Sequence, residues 1–325
     1  MLYNTPMNKQ VVDVLILGGG PSGLTAAIYT ARAGLSTVIL AGNPPGGQLM
    51  LTSEVENFPG FPNGIKGPEL ISNMRQQAER FRAVLHNENA VQVIGSFEKH
   101  FEILSDANGR YFAKTVIIAT GASAKWLGLE SEQKLRGRGV SACATCDGFF
   151  FKDKIVAVVG AGDVAMEEAT FLTKFAAKVY VLTRGSKEEI RACATMKNRA
   201  LKNPKIEFLH NTEIEEVLGE ERVTGLKVKN NITGNLSTLS DVKGLFIAIG
   251  HKPNTEFLLS ENVPVIELGK FGYAIPKEST HTHTNQKGVF IAGDVSDHKY
   301  RQAITAAGFG CIAALDCQKF LAESS

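Results

Sequence analysis

The first apolar run of the chain, Val11–Leu17, is interrupted only by Asp13 and ends at three consecutive glycines. A short apolar run bounded by glycine is typical of a parallel strand that is buried on both faces. Residues 24–33 have helical character, and residues 37–40 form a second apolar run. The pattern therefore predicts a strand, a glycine-rich turn, a helix and another strand within about 30 residues.

The same pattern recurs in the middle of the chain. Residues 154–159 and 178–182 are apolar runs of strand length. Between them, residues 160–165 predict a turn and residues 166–176 a helix. The chain thus contains two strand–turn–helix–strand units of the kind that binds nucleotides.

Gly18, Gly20 and Gly23 give the first turn the GxGxxG spacing, and Gly160, Gly162 and Ala165 give the second turn the related spacing with alanine in the last position. Glycine lets the backbone turn tightly and approach a pyrophosphate, whose charge is stabilised by the N-terminus of the following helix. For either copy alone, an ordinary glycine turn remains an alternative. Two copies in matching contexts predict two dinucleotide sites.

Three further apolar segments each end a predicted strand at glycine, at residues 115–121, 244–250 and 288–294. A glycine at the end of a buried strand lets a ligand lie close to the backbone. The last segment ends at Asp294, which can bond a sugar hydroxyl or, alternatively, cap a helix.

The domain boundaries are predicted in residues 121–125 and 250–254, which flank the second unit. We therefore expect an α/β protein with two Rossmann-like, three-layer domains, the second inserted into the first. Residues 1–124 and 252–325 form the outer domain, and residues 125–251 form the inner one. The two short crossings predict a hinge.

The composition is that of an ordinary globular protein. The chain has 325 residues, 44% hydrophobic and 21% charged, with a formal net charge of +2. A dense basic stretch, residues 184–199, contains two glutamates and is typical of a solvated helix face. The first apolar run contains Asp13 and breaks at glycine, unlike a secretory or membrane-spanning segment. We expect a cytoplasmic protein without a nucleic-acid or membrane partner.

Cys143 and Cys146 form a CxxC motif among five cysteines, an odd number that does not suit a disulfide framework. Two cysteines three positions apart near a helix start favour thiol–disulfide exchange. Zinc requires more ligands, and the His281 and His283 pair, expected on a surface loop, lies far along the chain. An inert pair is the other alternative. The remaining cysteines lack a motif: Cys193, Cys311 and Cys317.

Six segments together resemble the bacterial-type, low-molecular-weight thioredoxin reductases, over nearly the whole chain. They are GGQL at 46–49, EVENFPG at 54–60, ATGASA at 119–124, GRGVSACATCDG at 137–148, AIGHKPN at 248–254 and GDVSDHKYRQA at 293–303. The CATCDG segment, located in the second nucleotide domain, is the most specific of these.

The resemblance implies an NADPH-dependent reductase that acts on a thioredoxin disulfide, contains FAD and forms a homodimer. The outer domain is then the FAD domain, with Gln48 and Asn57 near the flavin and Asp294 near its ribityl chain. The implied FAD-binding residues are Gly18, Gly20, Pro21, Ser22, Gly23, Gly47, Gln48, Leu49, Asn57, Thr120, Gly121, Gly293, Asp294, Arg301, Gln302 and Ala303.

One departure concerns the adenosine end of FAD. An acidic residue that binds the ribose is expected after the second strand, about 20 residues beyond the glycine motif. Residues 40–43 contain none. Asn43 or backbone groups are the expected substitutes.

The inner domain resembles an NADPH domain, and its implied binding residues are Gly160, Gly162, Asp163, Val164, Ala165, Arg184, Arg191 and His251. Relatives carry a His-Arg-Arg cluster after the second strand because fixed guanidinium groups select the 2′-phosphate. This chain has Thr183 and Gly185 in place of the histidine and the middle arginine. We expect NADPH, with a weaker preference over NADH as an alternative.

By the same resemblance, Cys146 faces the flavin and Cys143 attacks the partner disulfide. Asp147 is the expected acid–base residue, with a helix cap or a solvated carboxylate as the alternative. Because the nicotinamide and the cysteine pair belong to one domain and must both reach the flavin, that domain is expected to rotate between half-reactions.

Arg138, Phe149 and Phe150 flank the pair and are candidate thioredoxin contacts. Alternatively, the phenylalanines begin an apolar strand. Two other functions compete with the main one. They are a related flavoenzyme with ferredoxin or NADH as donor, and a non-catalytic nucleotide- or zinc-binding module.

Overall fold

A computed structural model describes residues 10–52, 54–260, 263–277 and 280–324. Within these ranges the strands are β1 Val11–Leu17, β2 Thr37–Leu40, β3 Val84–His86, β4 Ala90–Ser96, β5 His100–Ser105, β6 Arg110–Ile118, β7 Ala122–Ala124, β8 Val140–Ser141, β9 Ile155–Val159, β10 Lys178–Leu182, β11 Ile206–Leu209, β12 Thr212–Leu218, β13 Gly225–Asn230, β14 Leu236–Leu239, β15 Val242–Ile247, β16 His251–Pro253, β17 Leu259–Ser260, β18 Val263–Pro264 and β19 Val289–Ile291. The α-helices are α1 Pro21–Arg32, α2 Gly67–Arg80, α3 Glu130–Lys134, α4 Ala144–Asp147, α5 Asp163–Leu172, α6 Ala194–Leu201 and α7 Ala303–Glu323.

The chain divides into two compact units. One contains the described residues up to Ser123 and those from Lys252 onward, and the other spans residues 124–251. The segments that connect them, β7 and β16, pair with each other as a two-stranded sheet. The expected boundary between residues 124 and 125 differs by one position from this division.

The first unit is built on a mixed sheet with strand order β3-β2-β1-β6-β5-β4, and β19 also pairs with β6. Strands β1, β2, β3, β6 and β19 are parallel. Alternate residues of β1 enter opposite cores, Val14 and Ile16 on the side of α1 and α7, Leu15 and Leu17 on the other. This two-sided burial explains why β1 is a continuous apolar run.

The second unit contains a parallel sheet with strand order β11-β10-β9-β15-β8 and an antiparallel sheet, β12-β13-β14. Val156 and Val158 face a core with α5, whereas Ala157 and Val159 face a core with the antiparallel sheet. These architectures confirm the predicted α/β class with two Rossmann-like units.

Both nucleotide-loop helices begin earlier than predicted. Helix α1 starts at Pro21 rather than at residue 24, because proline at the first helical position has a backbone angle suited to a helix. Helix α5 starts at Asp163 and ends at Leu172, whereas residues 166–176 were expected. Each helix thus begins directly after the second glycine of its motif.

Helix α7 is long and apolar enough to cross a membrane by length and composition, and 39% of its apolar window is buried. Its buried residues include Ala313 and Cys317, and it packs closely on α1. Gly310 permits this approach, because a Cβ there would lie 2.1 Å from the Ser22 carbonyl oxygen. We interpret α7 as a core helix of the first unit.

Candidate active site

The first glycine motif forms a tight turn between β1 and α1. Gly18 has a φ of +114°, and a Cβ there would lie 2.2 Å from the carbonyl oxygen of Ala119. A Cβ on Gly23 would lie 1.8 Å from the Gly18 carbonyl oxygen. By contrast, a Cβ on Gly20 would meet no described atom within 4 Å beyond its chain neighbours. The outer glycines are required for packing, and Gly20, which precedes Pro21, faces open space suited to a pyrophosphate.

Two buried polar atoms beside this turn are without a hydrogen-bond partner in the described part of the chain, Ser22 Oγ and Asp294 Oδ1. Their segments touch, since a Cβ on Gly293 would lie 2.9 Å from Ser22 Cβ. Burial, and next to it the charge of Asp297, raise the pKa of Asp294 from 3.8 to about 7 against the opposing charge of Arg301. Unpartnered buried polar groups next to open space fit a polar ligand such as FAD.

Asp294 does not cap a long helix. It lies in a short 3₁₀ turn, Gly293–Val295, whose N-cap Ala292 makes no side-chain hydrogen bond. Helix α7 is instead capped by Gln302 in a reciprocal arrangement with Thr305. The helix-cap alternative for Asp294 is therefore wrong.

The segment before α7 approaches another predicted flavin residue. Asn57 Nδ2 donates to Gln302 Oε1 at 3.3 Å, although 245 positions separate them. Arg301 has a φ of +48°, and its N–H donates to Asp297 Oδ2 at 3.1 Å. Asp297 thereby fixes the turn that leads to Gln302 and Ala303. The structure brings these predicted residues to one region of the first unit.

The GGQL segment lies near the same glycine turn. Gly47, Gln48 and Leu49 belong to a 3₁₀ helix, Gly47–Leu51. A Cβ on Gly47 would lie 3.9 Å from the Gly20 Cα. This segment is therefore located at the predicted pyrophosphate turn.

Thr120 and Gly121 lie where the chain leaves the first unit. Thr120 Oγ1 donates to the Asn254 carbonyl oxygen at 2.7 Å, and Asn254 Nδ2 donates to the Thr120 carbonyl oxygen at 2.8 Å. The Ser123 hydroxyl donates to Asn254 Oδ1 at 3.0 Å. Gly121 has a φ of +69°, which favours glycine. These bonds hold the two crossings side by side.

The loop after β2, which lacks the expected acidic residue, is held by side chains from later in the chain. The Asn43 N–H donates to Asn89 Oδ1 at 3.1 Å, and Asn89 donates from its N–H and its Nδ2 to Asp106. Asp106 therefore supports this loop indirectly, through Asn89. The nearby Glu88 accepts a hydrogen bond from the Tyr111 hydroxyl. The sequence analysis missed these residues because they lie more than 40 positions beyond the motif.

The second glycine motif repeats the geometry of the first. Gly160 has a φ of +150°, and a Cβ there would lie 2.4 Å from the Ala248 carbonyl oxygen. A Cβ on Gly162 would find no neighbour within 4 Å among the residues described, its chain neighbours aside. Ala165 is fully buried in the third glycine position, and Val164 packs against the same core. Gly162 thus faces open space, as Gly20 does.

A later segment is tied onto this turn. The Arg191 N–H donates to the Ala161 carbonyl oxygen at 2.8 Å, and the Cys193 N–H donates to Asp163 Oδ1 at 2.7 Å. Asp163 therefore positions the loop rather than only beginning α5. The backbone of Arg191 lies directly beside the predicted pyrophosphate turn.

Arg184 is exposed at the end of β10, and Thr183 before it is buried. The Thr183 hydroxyl lies 2.9 Å from the Gly185 carbonyl oxygen and 3.0 Å from His210 Nδ1. His210 follows β11, and no motif pointed to it. Its position could have been found from topology, because the carboxyl ends of neighbouring parallel strands meet at one edge. His251 is half-buried in β16.

The CxxC pair forms a disulfide, Cys143–Cys146, with a Cα–Cα distance of 5.3 Å. The Thr145 hydroxyl donates to Cys143 Sγ at 3.3 Å. Helix α4 contains only residues 144–147, and Cys143 is its N-cap residue. Cys143 and Cys146 thus lie at the start of this short helix.

Asp147 follows the pair and is half-buried. Burial raises the pKa of Asp147, while a hydrogen bond from Ser141 opposes the shift. It ends α4 and is the N-cap residue of the 3₁₀ turn Gly148–Phe151, but its side chain makes no capping hydrogen bond. A carboxyl with a raised pKa next to a disulfide is suited to proton transfer.

Arg138 and Phe149 are exposed, Phe149 with 58% of its surface accessible. Phe150 is half-buried against the core of the second unit. Phe151 is buried against Phe246, with ring centroids 5.3 Å apart. The phenylalanines belong to a 3₁₀ turn, Gly148–Phe151, so the alternative of an apolar start of β9 is wrong.

Among the described residues, no group of three or more His, Cys, Asp or Glu side chains is arranged to hold a metal ion. His281 is exposed. His283 is only half-exposed, because it packs on Phe290 and lies 3.8 Å from Asp316. The surface-loop expectation was therefore wrong in part for His283.

Comparisons with known proteins agree with this geometry. Residues 12–310 match the model of the pyridine nucleotide-disulphide oxidoreductase family. A thioredoxin reductase from Streptomyces coelicolor is 51% identical over 98% of this chain and 96% of its own. A bifunctional thioredoxin reductase/thioredoxin from Mycobacterium leprae is 48% identical, over 99% of this chain and 69% of its own.

The solved thioredoxin reductase from Giardia duodenalis superposes with a TM-score of 0.89 at 40% identity, covering 96% of this chain and 99% of its own. Proteins of this family use FAD and NADPH, and the open space at both turns and the unpartnered polar atoms at the first turn fit them. The chain belongs to the pyridine nucleotide-disulphide oxidoreductase family and, within it, to the low-molecular-weight thioredoxin reductases.

Proposed function

We propose that this protein uses NADPH and FAD to reduce the disulfide of a thioredoxin through Cys143 and Cys146. The observation that carries the proposal is the Cys143–Cys146 disulfide, which lies in the same unit as the second nucleotide turn. Family membership supports it, as does the Mycobacterium leprae relative that is named a bifunctional thioredoxin reductase/thioredoxin.

The two glycine turns bind the two nucleotides. The first turn, with Ser22 and Asp294, holds FAD, and the second, with Arg184 and Arg191, holds NADPH. When bound, these cofactors supply the two electrons that reduce the enzyme disulfide. Gly20 and Gly162 admit the pyrophosphates because neither has a neighbour in its way within 4 Å in the described ranges.

The protein partner is reduced by thiol–disulfide exchange. The Cys143 thiolate attacks one sulfur of the partner disulfide, which breaks that bond and forms a mixed disulfide with Cys143. The Cys146 thiolate then attacks Cys143, which restores the enzyme disulfide and releases the second partner sulfur. Asp147 protonates a departing thiolate, a role that its raised pKa favours.

The second unit rotates about β7 and β16 so that the nicotinamide and the cysteine pair reach the flavin in turn. Both crossings are short and paired, which restricts the motion to the residues at their ends. A cross-link that fixes the two units should stop turnover and preserve one half-reaction. Full turnover of the cross-linked enzyme would contradict rotation.

The exposed Phe149, with Arg138 beside the pair, is the contact surface for thioredoxin, and the half-buried Phe150 supports it. The enzyme acts in the cytoplasm as a homodimer. The second copy packs on the exposed apolar positions of α1 and α7, which include Tyr29, Ile312 and Leu315. Sedimentation of the protein and of Leu315→Glu tests this surface, since a dimer should dissociate in the variant.

A reductase with another electron donor is the second candidate, because Thr183 and Gly185 replace the histidine and the arginine expected of the family. An anaerobic titration with NADPH, NADH and reduced ferredoxin, followed by thioredoxin, separates the candidates. We expect NADPH to bleach the flavin and thioredoxin to restore its absorbance. Bleaching by ferredoxin alone would reject the NADPH proposal.

A further inference from the structure

The loop after β10 gathers basic groups that do not belong to the family's arginine cluster. The inference below concerns the donor site and rests on NADPH as the donor. Relatives have a histidine and an arginine where this chain has Thr183 and Gly185. Arg184 and Arg191 alone therefore leave part of a 2′-phosphate without a cationic partner. The question is which groups of this chain lie in their place.

His210 occupies the neighbourhood of the missing histidine, although it comes from the adjacent strand. Strands β10 and β11 are parallel with Leu182 paired to Leu209, so their ends coincide. The Thr183 hydroxyl has one proton, which it donates to the Gly185 carbonyl oxygen. Its contact with His210 at 3.0 Å is therefore donated by the imidazole Nδ1–H. This bond orients the ring and leaves Nε2 available to bind an anion when protonated.

Lys197 reaches the same loop from α6. Its Nζ donates to the Lys187 carbonyl oxygen at 2.8 Å, and it interacts electrostatically with His210 and Glu188. The start of α6 is itself tied to the nucleotide turn, because the Cys193 N–H bonds Asp163. Lys197 therefore belongs to the shell around the donor site.

The two glutamates of this loop, Glu188 and Glu189, accept hydrogen bonds from within the loop. Glu189 accepts a hydrogen bond from the Ser186 N–H at 2.6 Å. The pKa of Glu188 is lowered by a hydrogen bond from Ser186 and by Lys197 and Lys187. Both carboxylates thus have local partners.

We propose that His210 and Lys197 contact the 2′-phosphate of NADPH together with Arg184 and Arg191, and that they determine the preference of this enzyme for NADPH over NADH. A lysine and an imidazolium supply the charge, and the Thr183 bond supplies the fixed geometry that the replaced motif residues provide in relatives. The residues that distinguish NADPH from NADH therefore come from three places: the loop after β10, the end of β11 and α6.

The preference depends on pH. Charged groups face His210 from the loop, Glu188 and Lys187, and from α6, Lys197; Thr183 faces it from β10. Burial and the two lysines lower the pKa of His210, while Glu188 opposes them. The ring is neutral at pH 8 and gains its charge as the pH falls, which strengthens binding of the phosphate.

The test is calorimetric titration of the oxidised, FAD-containing enzyme with NADP⁺ and with NAD⁺ at pH 6 and pH 8. His210→Asn keeps a donor for Thr183 but cannot be protonated, and Lys197→Gln removes the ammonium. At pH 6 each is expected to weaken NADP⁺ binding about tenfold, as for one charge-assisted hydrogen bond, and to leave NAD⁺ binding unchanged. The difference between wild type and His210→Asn should widen from pH 8 to pH 6.

Lys202→Gln, which removes a charge just beyond the end of α6, is the control and should change neither affinity. Unchanged NADP⁺ binding in both test variants, or an equal loss of NADP⁺ and NAD⁺ binding, would overturn the inference while leaving NADPH as donor. A wild-type enzyme that binds NAD⁺ as tightly as NADP⁺ would overturn the donor assignment as well.

Discussion

Thr120 and Asn254 exchange two hydrogen bonds across the point where the chain crosses between its two units, at 2.7 and 2.8 Å. They are 134 positions apart, one before the inserted unit and one after it. The two crossings are thus held side by side as a pair of strands.

Asn254→Ala should lower the free energy of unfolding by about 1 kcal/mol, because it removes the side-chain bonds to Thr120 and Ser123 at a partly exposed site. Urea unfolding measures the change. Asn235→Ala, on the exposed turn before β14, is the control. Equal stability of the two variants would show that the side-chain bonds of Asn254 contribute nothing to the fold.

Gly20→Ala and Gly162→Ala form a matched pair. Both positions have extended backbone angles that alanine adopts, and both face open space, so the thermal stability of the flavin-free protein should be unchanged. Gly20→Ala should weaken FAD binding by about tenfold or more, and Gly162→Ala should do the same to NADPH binding only. Flavin content and nucleotide titration check this. If either variant binds both nucleotides normally, the corresponding pyrophosphate site is wrong.

Cys146→Ser should accumulate a mixed disulfide between Cys143 and thioredoxin, because the resolving thiol is missing. Cys143→Ser should accumulate none. Non-reducing electrophoresis and mass spectrometry identify the adduct. Trapping through Cys146 instead would reverse the assigned roles.

Asp147→Asn should slow thioredoxin reduction by about 100-fold, because that reaction needs the proton of Asp147. Flavin reduction by NADPH does not need this proton and should stay near the wild-type rate. Stopped-flow absorbance separates the two steps. Glu130→Gln, a carboxylate change in α3, is the control. Equal slowing of both steps would assign Asp147 a structural role.

Asp294 should make the flavin-free protein less stable as the pH rises. Its pKa is about 7 in the folded chain against 3.8 for an ordinary aspartate, so stability is fully present below pH 3.8 and is lost as the pH rises through 7. The loss is as much as about 4 kcal/mol.

Asp294→Asn keeps the neutral form, and its advantage over wild type should grow from pH 5 to pH 8 in urea unfolding of the flavin-free protein. A constant difference between the two proteins over this range would refute the raised pKa. Asp106→Asn, an exposed carboxylate of the same unit, should show no such growth.

The sequence alone determined the two nucleotide units, their class and the CxxC pair, because these features are local. Two-sided burial makes a continuous apolar run of β1, and a tight turn against a neighbouring strand excludes side chains at Gly18 and Gly160. The segment resemblance to thioredoxin reductases was confirmed by the comparisons.

Only the tertiary structure decided what depends on distant chain segments. It placed Asn57 against Gln302, supported Asn43 through Asn89 and Asp106, and brought His210 to Thr183. It also reduced the helix after Cys143 to a single turn, which no pattern of apolar residues specified. The His210 contact arises where the parallel strands β10 and β11 end side by side, so its partner is set by strand order rather than by spacing along the chain.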